Sequence, residues 1–252
     1  MSADRPDYFD RYPTIKFERD AEGILTLRIH SDGGPVVYSP QHHTDWSSAF
    51  RDVGQDRANS VVILTGTGDA FIDRSNWDEP LSTPRDWDRI YWEAKHLLSD
   101  LLEIEVPIIG AVNGPARIHA ELPLLSDITL AATTADFQDG GHIPLGAVPG
   151  DGVHVVWQEL LGVNRGRYFL LTGQTLDAAE ALRLGLVAEV LPADKLLARA
   201  WELAEDLVRK PTLLLRYTRL LFTEYLRRQM HDLLGYGLAM ESLALFEKPE
   251  AP

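Results

Sequence analysis

Two short segments carry side chains that could move protons. In Asn113-Gly114-Pro115-Ala116-Arg117-Ile118-His119-Ala120-Glu121, a histidine follows a Gly-Pro turn and would aim an imidazole and backbone N–H groups at one pocket. Position alone leaves His119 equally a capping or surface histidine, and Glu121 equally a charge at a helix N-terminus. In the second segment, QDGGHIPLGAVPGDG, His142 and Asp151 flank a Gly/Pro loop long enough for the chain to fold back. A carboxylate held against an imidazole fixes its tautomer and favours the imidazolium. Such a pair makes a general base for water, contributing roughly 10²–10⁴-fold to a rate. Asp151 also suits the N-cap of a helix beginning at Val153, and the two roles are compatible. His154, one turn into that helix, reads as a packed or surface residue.

Composition narrows the chemistry. Among 252 residues there is no cysteine, which excludes disulfides, thiol nucleophiles, Cys-ligated zinc and iron–sulfur clusters. With 24 Lys+Arg against 38 Asp+Glu, the formal charge of −14 disfavours nucleic acid and anionic membranes and suits small neutral partners. The polar, acidic start MSADRPDYFDRYP has no basic-then-apolar leader, and charges interrupt every apolar window, so the expectation is a cytoplasmic protein with no membrane span.

The elements that must position these groups follow from periodicity. Residues 14–18 and 24–29 alternate apolar and polar side chains around Asp20-Ala21-Glu22-Gly23, predicting an antiparallel hairpin. A helix over 41–53, with Trp46, Phe50 and Val53 at helical spacing, precedes a buried strand over 60–64. A helix over 87–105, with Ile90, Leu97, Leu101 and Leu102 on one side, precedes strands at 107–112 and 128–132. Alternation of this kind predicts an α/β chain with a parallel sheet, whose carboxyl edge is where ligands usually bind. Beyond residue 153, helices are expected at 153–161, 165–172, 177–184, 195–208 and 212–246, with only 187–190 strand-like. The simplest division is a core over 1–195 and a C-terminal helical region over 196–252.

Several motifs fail. GTGDAF begins like a dinucleotide fingerprint, but Phe71 replaces its third glycine and no apolar helix follows. No nucleophile elbow, phosphate loop or paired-histidine zinc motif is present, and His119-Ala120-Glu121 lacks the cysteine half of a deaminase site. His42, His43, His119 and His142 show no recognised metal-ligand spacing, so no metal is expected.

VVILTGTGDAF, IEVPIIGAVNGPARIHAELPLLSDITLAA, ADFQDGGHIPLGAVPGDGVHVVW and NRGRYFLLTGQTLDAAEALRLGLVAEVL carry a resemblance that runs through nearly the whole chain. The sequence resembles the crotonase (enoyl-CoA hydratase/isomerase) superfamily, and within it the β-diketone hydrolases. The resemblance implies a crotonase-like spiral of ββα units and a C-terminal helical trimerisation region, giving a homotrimer or dimer of trimers. Glu121 matches the first glutamate of the hydratases, but His142 stands where their second glutamate is expected. The diketone-hydrolase pattern instead has histidines matching His43, His119 and His142, an aspartate matching Asp151 and a glutamate matching Glu241; all five are present. Asp73-Arg74-Ser75-Asn76 departs from the A-G-x-D segment that supplies an oxyanion-hole N–H in CoA-using members. Tyr38 and Pro80 depart from the tryptophan and phenylalanine of the resembled pocket, and Tyr38 and Trp77 are expected as apolar pocket walls.

The activity so implied is retro-Claisen cleavage of a cyclic β-diketone to a keto acid, with no cofactor. His142, oriented by Asp151, is expected to activate water. His119 and His43 would donate to the second carbonyl and route a proton to the enolate carbon, and Glu241 would support a histidine. Two rivals stand beside it. One is a CoA-thioester enzyme, for which Arg209, Lys210, Arg216, Arg219, Arg227 and Arg228 form a stretch that could meet phosphates. The other is a non-catalytic binding or assembly protein.

Overall fold

In the computed structural model, which describes residues 5–79, 81 and 83–245, strands β1 (Ile15–Arg19) and β2 (Ile24–Ile29) pair antiparallel, with Ile15 opposite Ile29. β3 (Val37–Tyr38) leads into α1 (Pro40–Gln55), β4 (Val61–Thr65), β5 (Arg74–Ser75) and α2 (Pro84–Glu103). Then come β6 (Ile108–Val112), α3 (Glu121–Leu124), β7 (Ile128–Ala132) and β8 (Asp136–Phe137). α4 (Val153–Leu161), α5 (Val163–Thr172), β9 (Leu176–Asp177), α6 (Ala178–Leu184) and β10 (Glu189–Leu191) precede α7 (Ala193–Val208) and α8 (Thr212–Leu245).

The main sheet runs β1-β2-β4-β6-β7-β10, parallel from β2 onward. β4 and β6 are buried at every position, as expected of parallel strands covered on both faces. Ile24, Val61, Ile63, Ile109 and Leu130 meet α7 through Leu196, Ala200 and Ala204. Residues of opposite parity, including Leu25, Val62, Leu64 and Ile108, join the larger cluster with Trp46 and Phe50 of α1 and Leu97, Leu98 and Leu101 of α2. The mixed α/β layers, the mostly parallel sheet and the long C-terminal helix agree with the fold class that the resemblance implies.

Helices α1 and α2 start earlier than their apolar stripes suggest. Pro40 and Pro84 occupy first-turn positions where a missing N–H costs nothing, and Thr83 and Asp86 close a capping box on α2. The last strand pairs over Glu189–Leu191 rather than 187–190, because Leu186 and Val187 are buried in the core after the left-handed Gly185. Residue 246, the expected end of the last helix, and Pro80 lie outside the described residues.

The arginines of the basic stretch have structural work. Arg219, almost fully buried, donates from Nε to the Ile104 carbonyl at 2.5 Å and pairs with Asp127. Arg216, also buried, donates to the Arg57 and Asn59 carbonyls. Arg227 pairs with Glu103, Arg228 with Glu224 and Arg209 with Asp206, while Lys210 donates to the Asp206 carbonyl. Arg216 and Arg219 anchor α8 from buried positions, whereas Arg209 and Arg228 pair at the exposed surface.

One close approach fixes where α8 crosses the loop before α4. A Cβ on Gly237 would lie 2.3 Å from the Gly150 carbonyl oxygen, and a Cβ on Gly150 would lie 2.3 Å from that of Gly237. Only two glycines permit this backbone contact. Gly237→Ala is expected to lose about 1–3 kcal/mol of stability in urea denaturation. Gly141→Ala, which has nothing within 4 Å of its Cβ position, is the near-neutral control.

Candidate active site

The polar cluster is assembled from loops and helix ends around the sheet. Past β6 the chain is stapled at Ala116, whose N–H donates to Asp136 at 2.7 Å, and at Arg117, whose N–H donates to Ile72 at 2.8 Å. The loop can pass so close because residue 114 is glycine: a Cβ there would sit 1.8 Å from the Asp69 carbonyl. His119 then adopts φ 47°, the left-handed region that non-glycine residues rarely occupy and that persists at functional sites when the surroundings enforce it.

His119 is held at both ring nitrogens. Nδ1–H donates to Glu121 Oε1 at 2.6 Å, and Nε2 lies 2.8 Å from the Tyr38 hydroxyl. Burial opposes the charged ring, but Glu121 and Asp151 outweigh it and raise His119 above the ordinary histidine range. A ring protonated on both nitrogens would donate to the Tyr38 oxygen and leave the phenolic O–H to donate elsewhere. Burial and the surrounding carboxylates keep that phenol well above its usual range. Tyr38 is therefore more than the apolar wall expected. β3 is fixed by pairing with β5, and the Asn76 N–H is taken by the Tyr38 carbonyl at 2.7 Å.

His142 sits between two carboxylates. Its Nδ1 donates to Asp139 Oδ1 at 2.6 Å, while Nε2 lies 3.4 Å from Asp151 Oδ1 and 4.0 Å from Glu241 Oε1. The expected orienting partner was Asp151 alone; Asp139, three residues away, makes the shorter contact. Burial works against the ring's charge, yet Asp151 and the hydrogen bond to Asp139 raise His142 well above the histidine range. The paired imidazolium in turn holds Asp151 well below the carboxylate range despite its burial. That direction favours the protonated ring, which donates from both nitrogens. The Asp151 carboxylate also accepts from the Val153 N–H at 3.4 Å, a weak version of the expected cap.

Glu241 arrives from α8, one turn past the Gly150–Gly237 contact. Burial and the charge of Asp151 push its carboxyl up to about 8, so it is an acid at neutral pH. His43 lies on α1, with its ring edge-on to Trp77 at 5.8 Å. It donates from Nδ1 to Glu93 at 2.7 Å. Trp77 also packs against Tyr38 at 5.8 Å, joining the two histidine groups. All five expected catalytic residues therefore gather with Tyr38 and Trp77. His42 does not join them: Ser39, Ser31 and the His30 carbonyl occupy both its nitrogens. His154 Nδ1 lies 3.0 Å from the Pro149 carbonyl oxygen.

Glu93 and Asp139 are the residues that sequence reasoning missed. Glu93 continues the apolar stripe Ile90, Leu97, Leu101, and a carboxylate on a buried stripe was the available clue. His119, Glu121 and Asp151 offer ligand atoms within 4.8 Å of one another, a spacing that could hold a cation. The Nδ1–H of His119 already satisfies Glu121 there. A cavity of about 450 Å³ between α2 and α8, lined by Tyr91, Lys95, Arg227 and Met230, shares no residue with this cluster.

Fold and site together define a crotonase-type enzyme. The enoyl-CoA hydratase/isomerase family profile matches residues 24–249, and the chain belongs to that family. It is similar to a β-diketone hydrolase from the cyanobacterium Anabaena, solved bound to (S)-3-oxocyclohexyl acetic acid. The two share 46% identity over 96% of this chain and 98% of that one, with a TM-score of 0.94. It is 33% identical over 191 residues to a probable enoyl-CoA hydratase of Mycobacterium tuberculosis, covering 75% of this chain and 73% of the relative. A hydroxycinnamoyl-CoA hydratase-lyase of Pseudomonas fluorescens is 27% identical over 83% of this chain and 78% of its own. No helix among the described residues is long and apolar enough to cross a membrane.

Because the folded His142 lies above its unfolded value near 6.5, its contribution to stability is full below that pH and is lost as pH rises through the folded value. Imidazole NMR titration is expected to find His142 still charged at pH 7. Asp139→Asn should lower its pKa by about one unit or more.

Proposed function

We propose that the protein hydrolyses a carbon–carbon bond of a cyclic β-diketone, a retro-Claisen cleavage that yields a keto acid. The observation that carries this reading is a trio of carboxylate-clamped imidazoles in a chain 46% identical to a β-diketone hydrolase along almost its whole length. A 1,3-dicarbonyl needs no cofactor, since the second carbonyl delocalises the electron pair left on the central carbon. The protein has only to activate water and stabilise two developing oxyanions.

In this reading the His142 imidazolium donates from Nε2 to the carbonyl oxygen that becomes the carboxylate. Tyr38, backed by His119, donates to the second carbonyl. Glu241, held as a neutral acid, lets the site accept added negative charge beside Asp151. The nucleophile is a histidine-activated water. The small neutral substrate and the absence of a nucleic-acid or membrane role fit the charge of −14. Ordinary hydratase chemistry is less well served, because His142 stands where the resemblance leads one to expect the hydratases' second glutamate. Leu213, Leu214, Tyr217, Leu221, Phe222 and Tyr225 stand exposed on α8 and support assembly into a homotrimer or a dimer of trimers through this helix. A cytoplasmic location belongs to the same proposal.

Purified protein incubated with cyclic 1,3-diketones is expected to consume enol absorbance and to incorporate ¹⁸O from labelled water into the new carboxylate. His142→Ala should lose at least about 10²-fold in kcat/KM. Turnover of crotonyl-CoA with inert diketones would overturn the reading. Light scattering should give a mass of three or six 28.2 kDa chains, and Leu221→Glu with Phe222→Glu should lower it.

A further inference from the structure

Away from the catalytic cluster, α2 and α8 pack against each other and part over one stretch. Arg219 closes one end, donating from Nε to the Ile104 carbonyl just past α2. Gly235 closes the other, where a Cβ would stand 3.1 Å from Tyr91 Oη. Between these closures lies the cavity of about 450 Å³, a volume within the range of small-molecule sites. Tyr91, Lys95 and Leu102 face it from α2, and Arg227, Met230 and Leu234 from α8, each set at helical spacing.

The floor of the cavity is apolar and its rim is charged. Leu102, Met230 and Leu234 are buried. At the rim, Arg227 is engaged by Glu103 and Glu224, and His231 pairs with Asp232. Lys95 differs from both. Its ammonium lies 5.2 Å over the Tyr91 ring and meets no carboxylate among the described residues, in a chain where acids outnumber bases by 38 to 24.

We propose that this cavity is a binding site for a small monocarboxylate with an apolar body, its carboxylate meeting Lys95 at the rim and its body lying on Leu102, Met230 and Leu234. The class includes the keto acid of the β-diketone reading, and only that identification rests on the reading.

The pattern of charge selects the ligand. One free ammonium balances one negative charge, while the carboxylates of Glu103 and Glu224 beside Arg227 oppose a dianion such as phosphate. A neutral molecule would leave Lys95 unanswered. The face of the Tyr91 ring attracts the ammonium before any ligand arrives, so less freedom is lost on binding. The buried floor gives the apolar body a surface from which water is excluded.

The cavity backs onto the loop before α4. A Cβ on Gly152 would lie 3.3 Å from Leu234 Cδ1 and 3.4 Å from Met230 Sδ, so Met230 touches both the cavity floor and the residue after Asp151. A probe at Met230 must therefore be read together with variants that separate the two places.

Cyclohexanecarboxylate is titrated into the full chain carrying ¹³C-methyl methionine. There are three methionines, and Met230→Leu identifies the signal of the cavity floor. That signal should shift to saturation. Lys95→Gln, a change at an exposed position, should weaken the apparent Kd by about three- to tenfold, while Lys95→Arg should retain it. Cyclohexylmethanol, similar in shape but uncharged, should bind more weakly by a similar factor. His142→Ala should leave the Met230 shift in place. An unmoved Met230 signal, equal affinity for the alcohol, tighter binding of inorganic phosphate, or a native titration in Lys95→Gln overturns the proposal. A shift lost in His142→Ala would locate the carboxylate in the catalytic cluster and overturn it as well. None of these measurements needs turnover, so a failure of diketone hydrolysis removes the keto acid as the occupant while the titration alone decides the site.

Discussion

Too few protons for too many carboxylates is the condition around which this molecule is organised. Glu93, Glu121, Asp139, Asp151 and Glu241 converge with His43, His119 and His142, in a space where burial makes every uncompensated charge expensive. The cluster resolves this unevenly. Acidic neighbours raise His119 and His142, burial lowers His43, and the Glu241 carboxyl is pushed up to about 8. A set of similar side chains thereby becomes a set of distinct acids, donors and acceptors, separated by environment and not by residue type.

The fold serves this division by bringing the groups from parts of the chain that do not otherwise meet. α1 contributes His43, α2 Glu93, the loop after β6 His119, the loop before α4 His142 and Asp151, and α8 Glu241. Buried arginines bind α8 to the carbonyls at the end of α2 and to the loop after α1, which makes the last helix part of the site's frame. The enoyl-CoA hydratase/isomerase scaffold carries these groups at its centre.

Much of this was legible in the sequence. The hairpin, the parallel strands and most helices follow from apolar period, and β2, β7 and α4 fall at their expected bounds because turn residues flank them closely. The histidines and acids of the two glycine-rich segments were legible too, since polar titratable residues beside strand ends have few packing roles. Which carboxylate serves which imidazole was not. Asp139 competes with Asp151 for one ring across a short turn, and Glu93 reaches His43 from another helix; neither relation leaves a mark in local spacing. Protonation was equally hidden, because it depends on the sum of charges from five separate elements.

The glycine pair where α8 crosses the loop before α4 has a consequence for how this surface can change over time. Main chain packed on main chain has no rotamer with which to relax, so the register of α8 is set by the contact itself, and Glu241, one turn onward, inherits it. Residues on the outward side of α8 can therefore diverge without retuning the acid beside His142. The helix works as a ruler with one calibrated mark, set where positions 150 and 237 leave no room for a Cβ.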